Sequence, residues 1–163
     1  MSGQFEDARF EDGGEPALRL RAETAADLEV ISALTQDAVG QTSDIAWLPR
    51  RRRFTLLLNR FRWEDATAAG RQGRPVERTR ALLTIEGVLR ARANGIDPKD
   101  RDLVVSLLSL AFVPREDGAG ALTLVLAGEG EIVLDVECLD VALTDVTRPY
   151  PAPSGRAPRH PDS

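Results

Sequence analysis

Ten arginines fall between positions 50 and 80 (50, 51, 52, 53, 60, 62, 71, 74, 78 and 80), against Glu64, Asp65 and Glu77, a local balance of +7. A guanidinium group binds carboxylates and phosphates through two parallel N–H bonds, so this stretch has the plainest binding chemistry in the chain. Trp47, Phe61 and Trp63 interleave with it. Arg50, Arg51, Arg52, Arg53, Arg60, Arg62 and Trp47 are therefore the candidate residues for contact with an anionic ligand or a protein partner. The same set suits single-stranded nucleic acid, whose bases stack on aromatic rings. The plainer alternative is a solvated hairpin with aromatics turned to the core and arginines to water. Phe61 and Trp63 alternate with Arg60 and Arg62, which favours that alternative in part.

Other reactive side chains are sparse. The one histidine, His160, lies three residues from the C-terminus, leaving none in the body for a triad or a multi-histidine metal site. The one cysteine, Cys138, excludes an internal disulfide and a multi-cysteine zinc site. Its neighbours Glu137 and Asp140 disfavour a thiolate, so it is expected to be a buried structural residue. Asp135 with Glu137, and Asp97 with Asp100 and Asp102, are paired carboxylates by type. Alternation puts Asp135 and Glu137 on the non-core face of a strand, where acids more often serve solubility. The stretch Asn94–Asp100 reads as a turn without a calcium-loop pattern, and the glycines at 118–120 and 128–130 read as hairpin glycines. No catalytic set, metal or cofactor is expected.

The formal charge is −5, from 21 basic and 26 acidic residues, which weighs against non-specific nucleic-acid binding without removing it. The acidic residues cluster too. Positions 129–145 hold six acids (129, 131, 135, 137, 140, 145) and no base. If this segment lies beside the arginine-rich hairpin, cross-strand pairs neutralise both. If the two lie on opposite faces, the asymmetry favours a homodimer joining the basic hairpin to the acidic 129–145 segment.

At 163 residues and 17.8 kDa the chain suits a single domain. Residues 1–16 read as a disordered acidic tail without the apolar core of a secretory signal, and 148–163 as a Pro-rich tail. The body is 17–147. No apolar run approaches the ~20 residues that span a bilayer, so no membrane association and a cytoplasmic location are expected.

Within the body, Thr24 and the apolar positions Leu28, Ile31, Leu34 and Ala38 predict a helix over 24–39, with Gly40 as its stop. Alternation then dominates. Residues 79–92 read as one long strand bending at Gly87. In 54–63 the apolar parity switches at Asn59-Arg60, and in 103–113 at Leu107-Leu108, so a β-bulge is expected at each. Residues 65–77 read as an exposed loop, and 122–126 and 132–136 as strands. Leu139, Leu143 and Val146 favour a short closing helix over the rival strand on Val141, Leu143 and Asp145. The expected fold is α+β: a strongly bent antiparallel sheet or partly closed barrel of about seven strands, with one N-terminal helix and a short C-terminal helix. A pleckstrin-homology-like or helix-grip-like roll fits that order.

The segments LRLRAE, DIAWLPRRRRFTLLLNRFRWE, RTRALLTIEGVLRARANGI, LLSLAF and GEIVLDVECLDVALTDV occur in this order. Together they resemble the bacterial domain of unknown function family 2948, over residues 17–147. That resemblance implies a small cytoplasmic protein and supplies no reaction, cofactor or catalytic residue.

The residues thus point to a non-enzymatic binding or protein-interaction module with an arginine-rich face. One alternative is a small-ligand carrier or enzyme with a pocket between the first helix and the sheet. The other is single-stranded nucleic-acid or anion binding.

Overall fold

The computed structural model describes residues 17–97 and 99–147, with the backbone of Tyr150–Pro151. His160 and the expected tails, apart from 150–151, lie outside the described residues. The elements are β1 (Arg19–Ala22), α1 (Ala25–Leu34), β2 (Ala38–Gln41), β3 (Ile45–Leu48), β4 (Arg53–Phe61), α2 (Ala66–Arg71), β5 (Glu77–Glu86), β6 (Val88–Asn94), β7 (Val104–Pro114), β8 (Gly120–Leu126), β9 (Glu131–Val136), β10 (Val141–Asp145) and β11 (Tyr150–Pro151). All strands belong to one antiparallel sheet with the path β1-β10-β5-β4-β2-β7-β8-β9-β6; β3 pairs with β4, and β11 with β5. The fold is α+β, mostly antiparallel sheet with two short helices.

The apolar alternation explains the curvature. Leu56, Leu58, Leu83, Ile85, Leu107, Leu122, Leu124, Leu134 and Leu143 all point to one side and are fully buried. A sheet this wide covers that face only by curling over it. α1 closes the hollow, touching both β1 and β7, which lie five steps apart in the sheet path. Leu28 and Ile31 supply its buried face, and Thr24 caps it by accepting from the Asp27 N–H. The Ser32 hydroxyl accepts the Leu110 N–H at 2.9 Å, tying the helix to β7 beside its irregular point.

Gly87 does more than bend a strand. Its φ of +71° ends β5, and the chain continues as β6 at the opposite end of the sheet, paired with β9. The sheet is not closed by a ladder. Its two remote ends are joined at this corner, where Glu86 N–H donates to Asp140 O, Val88 N–H to Arg52 O and Glu137 N–H to Gly87 O. These three bonds give backbone groups turned out by the corner their partners.

Several expectations are corrected. Eleven strands replace about seven, because β2, β3 and β11 are too short to show alternation and the 79–92 strand divides at Gly87. The segment 139–147 holds a strand, β10, not a helix; pairing on both sides with β1 and β5 outweighs its looser period. With that closing helix gone, the likeness to a pleckstrin-homology or helix-grip roll goes too. α1 stops at Leu34 instead of 39, since Ala38 and Gly40 enter β2 against β7. The 65–77 loop contains α2. The bulge expected at Leu107-Leu108 is present, with the register jumping between Leu107 and Ser109. The bulge expected at Asn59-Arg60 is absent. β4 pairs with β5 without interruption from Arg53↔Glu86 to Phe61↔Arg78.

Candidate anion- and partner-binding site

That unbroken register dictates where the arginines of β4 go. Phe54, Leu56 and Leu58 face the core, so Arg60, in the same parity, must face it as well. Its side chain is 0% exposed. The charge is tolerated because all five of its N–H donors are used. Nε and Nη2 donate to Asp145 at 3.0 and 2.9 Å, Nη1 and Nη2 to Glu64 at 2.9 and 2.8 Å, and Nη1 also to the Phe61 carbonyl at 3.0 Å. Asp145 reaches this place on β10, where it follows the parity of buried Val141 and Leu143.

The network extends outward through Arg62. This buried side chain pairs with Glu77, Asp65 and Glu64, and Asp65 in turn accepts two bonds from Arg74 at 2.7 and 3.2 Å. Arg78 lies over the Phe61 ring, 4.7 Å from its centroid. The Trp63 ring packs 5.6 Å from Phe61, and its N–H donates to the Gln36 carbonyl. Trp47, half-buried on β3 opposite Phe54, packs against the core. The aromatics expected to interleave with an open arginine face are structural packing instead.

Arg60 and Arg62 therefore do not join Arg50–Arg53 on one surface; they stand at the opposite end of β4. Arg50 and Arg51 are exposed on a 3-10 turn, Pro49–Arg51, and Arg52 follows in the left-handed region at φ 51°. Among the described residues neither Arg50 nor Arg51 forms an ion pair. Arg52 reaches Glu137 at 2.7 Å, and half-exposed Arg53 reaches Glu86 across the β4–β5 ladder. Both pairs are wet enough to contribute little to stability.

Of the acids in 129–145, two reach these arginines and three others find partners elsewhere in the chain. Glu137 pairs with Arg52, Asp145 with Arg60, Asp140 with Arg21, and Glu131 accepts from Asn94. Asp135 takes three arginines: Arg90 at 3.0 Å, Arg92 at 3.2 Å and Arg115 at 3.3 Å. Sequence reasoning missed this cluster, although it placed Asp135 on the wet face of a strand. What it lacked was the pairing of β6 with β9, which sets Arg90 opposite Asp135. Four of the six acids in this segment are thus paired with arginines of the same chain, two of them, Glu137 and Asp145, with arginines of the 50–80 stretch.

Burial alone would lower the Arg60 pKa, but bonds to Glu64 and Asp145 reverse this and hold it above its ordinary value. For Glu64 burial pushes upward and Arg60 outweighs it, so the carboxyl sits below its ordinary range. Asp65 is held low chiefly by Arg74. Asp135 is low because Arg90, Arg92 and Arg115 overcome its burial. A carboxyl with a lower folded pKa contributes stability that is complete above its unfolded value and is lost as pH falls through its folded value. The urea midpoint is accordingly expected to be flat above about pH 5 and to drop steadily below about pH 4. Asp135→Asn should make the acid limb shallower. An unchanged limb in that variant would contradict the assignment.

Cys138 is exposed, not buried: β9 ends at Val136, and the turn at 137–138 projects before Leu139 returns to the core. Leu28 and Ile31 are buried on the inner side of α1, where a ligand pocket was considered. Among the described residues no group of three His, Cys, Asp or Glu side chains is placed to hold a metal ion, and no helix is long and apolar enough to cross a membrane.

A family model described as Protein of unknown function (DUF2948) matches residues 18–160, nearly the whole folded body and beyond it. The chain belongs to that family. No curated protein and no solved structure matched. For this DUF2948 member the sites must therefore be read from their own chemistry. Among the described residues it has an internal arginine-carboxylate network in which acids outnumber arginines, an exposed arginine turn, and a cluster in which a single carboxylate serves three guanidiniums.

Proposed function

We propose that this protein is a cytoplasmic, non-enzymatic binding module, whose arginine turn at Arg50–Arg52 engages an acidic protein partner. The observation that carries the reading is the division of labour among the arginines. Arg60, Arg62 and Arg74 are held by carboxylates inside the network, whereas Arg50 and Arg51 extend into solvent on a turn fixed by Pro49 and by the left-handed Arg52. The turn is anchored from below, since the Arg52 carbonyl accepts the Val88 N–H at the sheet corner. Exposed Leu48 and Leu89 lie near it in the chain and in the sheet, giving a partner some apolar area beside the charges. Guanidiniums rimmed by apolar surface suit a protein contact.

Fluorescence anisotropy with labelled poly-L-glutamate and labelled oligo(dT) tests this. Poly-L-glutamate is expected to bind, with affinity falling at least tenfold when Arg50, Arg51 and Arg52 are all changed to Ala. Equal binding by the triple variant would reject the reading. Tighter binding of oligo(dT), with a steep loss in salt, would replace it by nucleic-acid binding.

A further inference from the structure

We propose that Arg90, Arg92 and Arg115, gathered around Asp135, form a binding site for the terminal phosphate of a phosphomonoester. This site shares no residue with the 50–52 turn and does not depend on it.

The comparison within the molecule is the starting point. Where this protein uses arginine as internal scaffolding, carboxylates outnumber guanidiniums: Arg60, Arg62 and Arg74 meet the four acids Glu64, Asp65, Glu77 and Asp145, and Arg60 uses all five of its donors. Around Asp135 three guanidiniums share one carboxylate. The cluster is left with two uncompensated positive charges. Asp135 accepts one hydrogen bond from each arginine, so most of their N–H donors remain without a partner among the described residues.

The geometry shows that this is a prepared arrangement, not a scatter of surface charge. The Asp135 side chain is 12% exposed, while Arg90, Arg92 and Arg115 are 72%, 44% and 53% exposed. The carboxylate is thus a floor, and the guanidiniums fan outward from it. They come from two places in the fold. Arg90 and Arg92 are two apart on β6 and share its outer face; Arg115 begins the β7–β8 turn, its N–H bonded to the Ala119 carbonyl at 2.7 Å. Holding three like charges within reach of one carboxylate is unfavourable until a further anion arrives.

Charge and shape select the ligand class. A phosphomonoester carries about −1.5 to −2 at neutral pH and presents three peripheral oxygens. That matches the double positive excess and allows one oxygen per arginine. A carboxylate brings one charge and two oxygens, leaving one arginine unmatched. The simpler reading is that Arg90 and Arg92 only protect the exposed edge of β6 from pairing with other chains. That reading predicts no preference for phosphate over any other anion at equal ionic strength.

Titration of the full chain, followed by amide NMR shifts, separates the two. The probes are inorganic phosphate, phenyl phosphate and benzoate, with ionic strength held constant by sodium chloride. Saturable shifts at β6, β9 and the 115–119 turn are expected with both phosphates and not with benzoate. Tighter binding of phenyl phosphate would indicate an ester ligand, and equal binding free phosphate; both support the site. Arg115→Gln, placed in a turn where folding is least affected, should weaken binding at least tenfold, with partial recovery in Arg115→Lys. Arg101→Gln, at an exposed position that belongs to neither site, should leave it within twofold of the wild type. Benzoate shifts matching those of phosphate, or unaltered phosphate affinity in Arg115→Gln, would overturn the proposal.

Discussion

Arg60→Ala is expected to destabilise the protein by about 3–5 kcal/mol, the usual consequence of breaking a buried, fully hydrogen-bonded ion pair. The substitution removes five donors at once. Glu64 retains some access to water, but the Asp145 side chain is only 5% exposed and would be left as a buried carboxylate with its main cation gone. The Phe61 carbonyl would lose the same partner. Asp145 also accepts the Leu18 N–H, so disturbance there reaches β1 and the edge of the sheet. Urea unfolding with a matched Arg60→Met/Asp145→Leu pair gives the control, since an apolar replacement of both partners is expected to recover much of the loss. A loss under about 1 kcal/mol in Arg60→Ala would mean that the network decorates the fold without holding it.

Gly120→Ala should cost about 2–3 kcal/mol through overpacking. Gly120 sits in β8 between Pro114 of β7 and Val136 of β9. A Cβ there would lie 2.5 Å from the Val113 carbonyl oxygen and 2.5 Å from the Phe112 ring. The ring can swing aside. The carbonyl belongs to a paired strand and cannot move without loosening the β7–β8 ladder. The same strain would displace the turn bearing Arg115, so this variant is expected to weaken phosphate binding as well as stability. Gly70, on α2 with nothing within 4 Å of an added Cβ, is the counterpart: Gly70→Ala should be neutral or stabilise by up to about 1 kcal/mol. Thermal denaturation of the two variants reads both results, and a Gly120→Ala midpoint equal to the wild type would show that β7 yields freely.

Much of this architecture was legible because period-2 alternation is a local property. The apolar core residues of β4, β5, β7 and β8 follow directly from their spacing, as do Ile132, Leu134 and Val136 of β9, whose Val133 and Asp135 are buried as well; the bulge at Leu108 follows from a parity switch. A similar switch at Asn59-Arg60 misled, for an instructive reason. Apolar parity assumes that a charged residue in the sequence marks the wet face. Arg60 breaks that rule because Glu64 and Asp145 satisfy it inside, and Asp145 lies 85 positions away. The parity of Val141, Leu143 and Asp145 was the available sign of an inward-facing acid, visible only if that segment was taken as a strand.

The candidate site was legible in residue type and illegible in grouping. Seven residues singled out by spacing divide among three environments: an exposed turn at 50–52, the Arg53 and Trp47 positions along the ladder, and the buried pair Arg60 and Arg62. The cluster of Arg90, Arg92 and Arg115 gave no local signal, because its unity depends on Asp135 in a strand that only sheet pairing brings alongside.

What the amino-acid order determined alone was the pleat: which side chains are oily on one face, where a helix starts at Thr24, and that Gly87 must allow a corner. What tertiary structure decided was which strands became neighbours, and hence which charges met. Alternation is fixed within a few residues of backbone, whereas the pairing of an arginine with a carboxylate requires segments tens of residues apart to be laid side by side. The same long-range pairing buried Arg60 and left Arg90, Arg92 and Arg115 gathered, outward-facing, around one acid.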